Sequence, residues 1–140
     1  MKVYLTRRYR FSASHRLHND ELSSEENREV YGKCNNPHGH GHNYVLDVTV
    51  SGPLSTVTGM VCDLGELDAA VTREVLERFD HENLNLVANF ASQVPTSENL
   101  AAEIFRLLEG SYHAAHVDWV KLEETPQNSF EYAGGSEIRH

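Results

Sequence analysis

The chain has 140 residues, 39% hydrophobic and 24% charged, the proportions of one soluble globular domain with a real core. Its formal charge of −9 argues against a broad nucleic-acid surface, while leaving room for a local basic pocket such as Arg7, Arg8, Arg10 and Arg16. Two cysteines, no signal-peptide core at the start and no apolar run near the ~18–20 residues of a membrane helix point to a single cytoplasmic domain over 1–140.

Along the chain, Val3, Leu5, Tyr9, Phe11, Ala13 and His15 share one parity, the alternation of a half-buried strand with His15 on its apolar side. Residues 19 to 33 are polar and acid-rich. They read as a surface loop with one helical turn, begun by Ser23-Ser24-Glu25-Glu26. A second strand carries His42, Tyr44, Leu46, Val48 and Val50 on one side, and His40 shares that parity. Gly52-Pro53 turns the chain, and Met60-Val61-Cys62 is expected to form a short strand. Asp63 to Glu66 opens a helix marked by Leu67, Val71, Val75, Leu76 and Phe79. A second helix starts near Pro95-Thr96-Ser97-Glu98, buries Leu100, Ile104, Leu107 and Leu108, and ends at Gly110. Val117 to Thr125 and Ser129 to Ala133 close the chain as two strands around Pro126-Gln127-Asn128. The order β-β-α-α-β-β predicts an α+β fold, a four-stranded antiparallel sheet with both helices on one face. The other face keeps aromatic and aliphatic residues, and self-association is expected to cover it or the open sheet edges.

The chemistry is concentrated in Cys34-Asn35-Asn36-Pro37-His38-Gly39-His40-Gly41-His42, with His15 on the preceding strand. Neutral imidazoles are the commonest transition-metal ligands, and a set without carboxylates or several thiolates suits zinc. Gly39 and Gly41 let the backbone approach such a site closely. Cys34 is either a fourth ligand, closing a structural centre, or a proton acceptor whose pKa a nearby cation lowers. Cys62 reads as a small buried hydrophobe. Asp80-His81 follows a helix end as an adjacent carboxylate–imidazole pair, and Glu124 shares the inward parity of Val120 and Leu122. An inward carboxylate needs a partner, which a ligand with N–H donors supplies.

These residues, with Phe11-Ser12-Ala13-Ser14-His15-Arg16-Leu17, Tyr31-Gly32-Lys33-Cys34-Asn35-Asn36-Pro37, Gly59-Met60-Val61, Leu67-Asp68, Asp80-His81-Glu82-Asn83-Leu84 and Pro95-Thr96-Ser97-Glu98-Asn99, resemble the 6-pyruvoyl tetrahydropterin synthase family in joint order and spacing. The resemblance implies a tunnelling fold (T-fold), with trimeric barrels stacked into a homohexamer and active sites at subunit interfaces. It implies zinc on His15, His40 and His42, Cys34 as catalytic base, and Asp80 with His81 assisting it from a neighbouring subunit. Glu124 corresponds to the pterin anchor, with Thr96, Ser97 and Glu98 in the pterin-pocket segment.

The implied reaction converts 7,8-dihydroneopterin triphosphate to 6-pyruvoyl tetrahydropterin with elimination of triphosphate, and needs no redox cofactor. The spacing from Cys34 to His40-Gly41-His42 matches pyruvoyl-type members. Cys34 to His38-Gly39-His40 formally matches the 6-carboxytetrahydropterin synthases of queuosine biosynthesis. The three histidines share parity, so strand geometry leaves His38 unassigned. The lead into the second strand favours His40 and His42. A reading from another class is a zinc-stabilised binding module without turnover.

Overall fold

In the computed structural model, which describes residues 2–135 and 138, side-chain alternation produces β1 (Val3–His15), where Phe11, Ala13 and His15 turn inward. It pairs antiparallel with β2 (His40–Gly52) along its whole length, from Val3 opposite Gly52 to His15 opposite His40. That register puts the two histidines at the same end of the sheet and on the same side.

The connection between these strands is more structured than the single turn expected. It contains α1 (Ser24–Tyr31), started by a complete capping box: the Ser23 hydroxyl accepts from the Glu26 N–H, and the Glu26 carboxylate accepts from the Ser23 N–H. Buried Asn27 adds a second clasp. Its amide donates to the carbonyls of Asn19, Leu22 and Ser23, and its oxygen accepts from the Asn19 N–H. A 3-10 turn, Gly32–Asn35, then carries Cys34 back toward the sheet.

After β2, the expected strand at Met60 to Cys62 is absent, because a tight loop occupies the segment. The Ser55 N–H bonds the Met60 carbonyl at 2.9 Å, and Gly59 turns the chain at φ +72°. The next helix runs as α2 (Leu64–Val71), a π-helical stretch Thr72–Leu76, and α3 (Glu77–Phe79). A two-residue strand, β3 (Glu82–Asn83), follows, and then come α4 (Ser97–Ser111), β4 (His116–Thr125) and β5 (Asn128–Tyr132).

The sheet has five strands in the order β3-β1-β2-β4-β5. The expected antiparallel four-stranded sheet therefore gains β3, which pairs parallel to β1 at Ala13 and Ser14. Two residues bound by backbone pairing alone carry no alternation to read. Phe11, Tyr44, Leu46, Val48, Val50, Val120 and Leu122 form the sheet side of the core, and Leu67, Val71, Val75, Phe79, Leu100, Ile104 and Leu108 the helix side. Both long helices thus cover one face, as the sequence predicts. The opposite face is more polar than expected. It carries a Tyr4–Trp119 ring pair 5.8 Å apart, a Thr6–Thr49 hydroxyl bond and a bidentate Arg8–Asp47 pair.

Candidate active site

At one end of the sheet, β1 and β2 bring the imidazoles together because His15 and His40 are directly opposed and His42 stands one pleat further along. The His15 and His42 rings lie 5.0 Å apart between centroids, and those of His40 and His42 4.6 Å apart. His15 is 1% exposed, and its Nδ1 lies 2.8 Å from the Pro95 carbonyl oxygen. A carbonyl only accepts, so Nδ1 carries the proton and Nε2 presents a lone pair. That Nε2, like the Nε2 of His42, is buried without a hydrogen-bond partner. Burial, the largest influence, lowers both imidazoles below their ordinary pKa and so favours the neutral, ligating form.

Cys34 enters this cluster from the 3-10 turn. The Leu17 N–H bonds the Cys34 carbonyl at 2.7 Å, and buried Asn35 donates its amide to the Leu17 carbonyl at 2.7 Å. The turn is thereby clamped to the segment just beyond β1. Ligand atoms of His15, Cys34 and His42 all fall within 4.8 Å of one another. The orphaned, buried Nε2 atoms of His15 and His42 fit a metal ion, imidazole donors of this kind suit zinc, and the Cys34 sulfur lies beside them. His40 is exposed, with its ring beside that of His42. His38 precedes β2 and is also exposed, its backbone N–H bonded to the Asn36 side chain. Gly39 makes the close approach expected of it: at φ +80°, an added Cβ would sit 3.2 Å from the His15 carbonyl oxygen. The corresponding distance at Gly41 is an ordinary 4.0 Å.

Glu124 turns inward at the end of β4. One carboxylate oxygen lies 3.5 Å from His42 Nε2, and the other accepts a short hydrogen bond from the Ser97 hydroxyl. Ser97 is itself 1% exposed at the first position of α4. Thr96 is the N-cap of that helix, its hydroxyl accepting from the Asn99 N–H, whereas Glu98 is exposed in the first turn. Burial pushes the Cys34 thiol up, and the Glu124 carboxylate pushes it further. A thiolate here therefore requires a compensating cation.

Among the described residues, neither Asp80 nor His81 belongs to the His15–Cys34–His42 grouping. The Asp80 carboxylate accepts from the Ser12 N–H at 2.9 Å and lies 3.0 Å from His81 Nδ1. His81 is exposed at φ +61° and helps to line a cavity of about 480 Å³ whose wall includes Ser12, Asn43 and, from the imidazole cluster, His42. Hydrogen bonds from the Ser12 N–H to Asp80 and from the His81 N–H to the Ser12 carbonyl place the pair at the β1 edge.

Sequence reasoning missed Pro95, Asn35 and Tyr44. The first acts through a backbone carbonyl and the second through a clamp on a carbonyl. Tyr44, 1% exposed, packs its ring 5.7 Å from that of His42 and reads in sequence as a strand residue of the core.

The comparisons with known proteins agree with this geometry. The family model described as 6-pyruvoyl tetrahydropterin synthase matches residues 4–135. The 6-pyruvoyl tetrahydrobiopterin synthase of Drosophila melanogaster is 47% identical over 94% of this chain and 80% of that protein. The solved 6-pyruvoyl tetrahydropterin synthase of Caenorhabditis elegans superposes with a TM-score of 0.91 at 43% identity, covering 96% of this chain and 97% of that one. A Rickettsia conorii protein named 6-carboxy-5,6,7,8-tetrahydropterin synthase is more distant, 30% identical over 89% of this chain and 95% of that protein. The match to the family model spans both strands of the imidazole cluster, the Cys34 turn and Glu124, and on that extent this chain belongs to the 6-pyruvoyl tetrahydropterin synthase family.

Proposed function

We propose that this chain, acting as a single domain, is a zinc-dependent lyase converting 7,8-dihydroneopterin triphosphate to 6-pyruvoyl tetrahydropterin with elimination of triphosphate. What carries the reading is the convergence of a thiol, buried unpartnered imidazole nitrogens and an inward carboxylate within one cluster. Zinc is assigned to His15, His40 and His42. When bound, it supplies a Lewis acid for negative charge developing on the substrate side chain, and a positive charge beside Cys34.

The chain's own groups divide the remaining work. Glu124, steadied by Ser97, accepts paired N–H bonds from the aminopyrimidinone ring, which fixes the substrate's orientation. The Cys34 thiolate takes a proton from a side-chain carbon, and the charge requirement set by its surroundings makes this step depend on metal loading. Asp80 and His81 return protons from a neighbouring subunit in a homohexamer, in keeping with their place at the β1 edge and outside the His15–Cys34–His42 grouping. Thr96 shapes the pocket segment by capping α4, and Glu98 lies at its rim. Both cysteines are free thiols, in keeping with a cytoplasmic setting, and no helix among the described residues is long and apolar enough to cross a membrane.

Anaerobic incubation of purified protein with dihydroneopterin triphosphate, followed by product identification, tests the reading. A pyruvoyl product is expected, and a 6-carboxy product would transfer the chain to the queuosine branch. Cys34→Ala is expected to keep its zinc by elemental analysis and to lose turnover by at least about a thousandfold. Loss of zinc in that variant would make Cys34 a ligand instead.

A further inference from the structure

Lys2, Arg7, Arg8, Arg73, Arg78 and Arg106 are each paired with a carboxylate. Among the described residues five cations lack an ion pair, Arg10, Arg16, Arg28, Lys33 and Lys121, and three of them, Arg16, Arg28 and Lys33, line one cavity of about 500 Å³. His18, Ser24, Asn35, Asn36 and His40 add polar groups to the wall; no Asp or Glu lines it, though the Asp20 carboxylate lies 3.1 Å from His18 Nε2. On a chain of formal charge −9, this is a local reversal of the overall field.

The three cations come from separate segments: Arg16 just beyond β1, Arg28 on α1, and Lys33 in the 3-10 turn. Arg16 is held in advance. Asn85 bonds both its backbone N–H and its carbonyl, and its Nε donates to the Asn35 carbonyl at 3.3 Å. Its two terminal amino groups have no hydrogen-bond partner among the described residues. The cavity adjoins the candidate active site, because Lys33 and Asn35 flank Cys34 and the wall residue His40 stands beside His42. Glu124 touches His42 and takes no part in the wall.

We infer that this cavity binds a linear polyphosphate, with Arg16, Arg28 and Lys33 as its phosphate ligands. That the polyphosphate is the tail of the substrate rests on the function proposed above. The cationic wall stands without that reading. Guanidinium forks offer paired donors to phosphate oxygens and the ammonium adds a point charge, so a chain of several phosphates is matched where a single carboxylate would leave cations unpaired. Substrate length is then set by two contacts of opposite charge, Glu124 for the ring and the cationic wall for the tail.

Calorimetric titration of the full chain with inorganic tripolyphosphate at low ionic strength, with metal content followed in parallel, tests the assignment. Arg28 lies on an exposed helix position that Ala and Lys both tolerate. Arg28→Ala is expected to weaken tripolyphosphate binding about tenfold. Arg28→Lys should restore most of it, and binding of unphosphorylated 7,8-dihydroneopterin should not change. Absence of tripolyphosphate binding, affinity unchanged in an Arg28→Ala/Lys33→Ala double variant, or binding that follows metal content alone would overturn it. So would loss of both ligands in Arg28→Ala without rescue by Arg28→Lys. Arg28-dependent tripolyphosphate binding in a protein that neither binds nor converts the pterin upholds the cavity and refutes the functional reading.

Discussion

His15 owes its role to a neighbour that sequence cannot display. Its Nδ1 proton goes to the Pro95 carbonyl, leaving Nε2 buried and unpartnered. Because burial holds the His15 pKa below its ordinary value, the unfolded chain binds this proton more readily than the folded one. Stability of metal-stripped protein is therefore complete above about pH 6.5, the unfolded imidazole value, and declines as pH falls below it. Thermal unfolding between about pH 8 and about pH 5 should show that slope. His15→Gln should flatten it only in part, since His42 is shifted in the same direction. At Glu124 the expected change is catalytic. Glu124→Gln removes the charge behind the proposed ring contacts and should lower kcat/KM by about 10- to 100-fold with metal content unchanged. An unaltered kcat/KM would remove Glu124 from substrate binding.

At the level of elements, what was legible in the sequence follows from what holds each element. β1, β2 and β4 are half-buried, so their alternation is visible, and with it the shared face of His15, His40, His42 and Glu124. α1 was under-read because Val30 and Tyr31 are its only large apolar residues, and its buried residue is Asn27. Polar clasps hold that helix, and polar clasps leave no hydrophobic period. Asn27→Ala removes the side-chain partner of the Leu22 carbonyl and the Asn19 N–H, while the Asn19 and Ser23 carbonyls keep backbone N–H partners, and is expected to cost about 2 kcal/mol in urea unfolding. A cost near zero would mean that solvent replaces the clasp. The structure gathers His15, His42, Cys34 and Glu124, whose chemistry lies in side chains legible in the sequence, and leaves His40 and His38 exposed and outside the His15–Cys34–His42 grouping. It adds what the sequence hides in backbone carbonyls and through-space pairs such as Ser97–Glu124. The π-helical stretch explains a further regularity. Leu67, Val71, Val75 and Phe79, spaced by four, are all buried because a widened turn offsets the drift that four α-helical steps of about 100° accumulate.

For the whole molecule, the place of Asp80 and His81 at the β1 edge, outside the grouping that holds Cys34, makes a quantitative prediction. If neighbouring subunits share each site, Cys34→Ala and His81→Ala proteins, each inactive alone, should recover activity when unfolded, mixed and refolded together. Random assembly of equal amounts gives about a quarter of wild-type activity, since each site then needs two independent intact halves. Persistent inactivity of the mixture, with mixed oligomers confirmed by native mass spectrometry, would place all catalytic groups within one chain.

The two edges of the sheet carry that idea further. On β1 the Ser12 N–H and carbonyl face away from β2, toward Asp80 and His81, and by the two-residue period Tyr4, Thr6, Arg8 and Arg10 present theirs outward too. β3 covers only Ala13 and Ser14 of that edge, while the sheet's other margin is the five-residue β5. A contact joining one copy's β1 margin to another's β5 margin would match unlike surfaces, so it would not close as a two-fold pair but would propagate, into a ring where its rotation closes and into an open filament where it does not. Asp80 and His81, beside Ser12, would lie at the end of such a seam, and a closed ring would complete each site. Turnover would then report ring closure itself, falling with dilution as seams open even while every subunit remains folded.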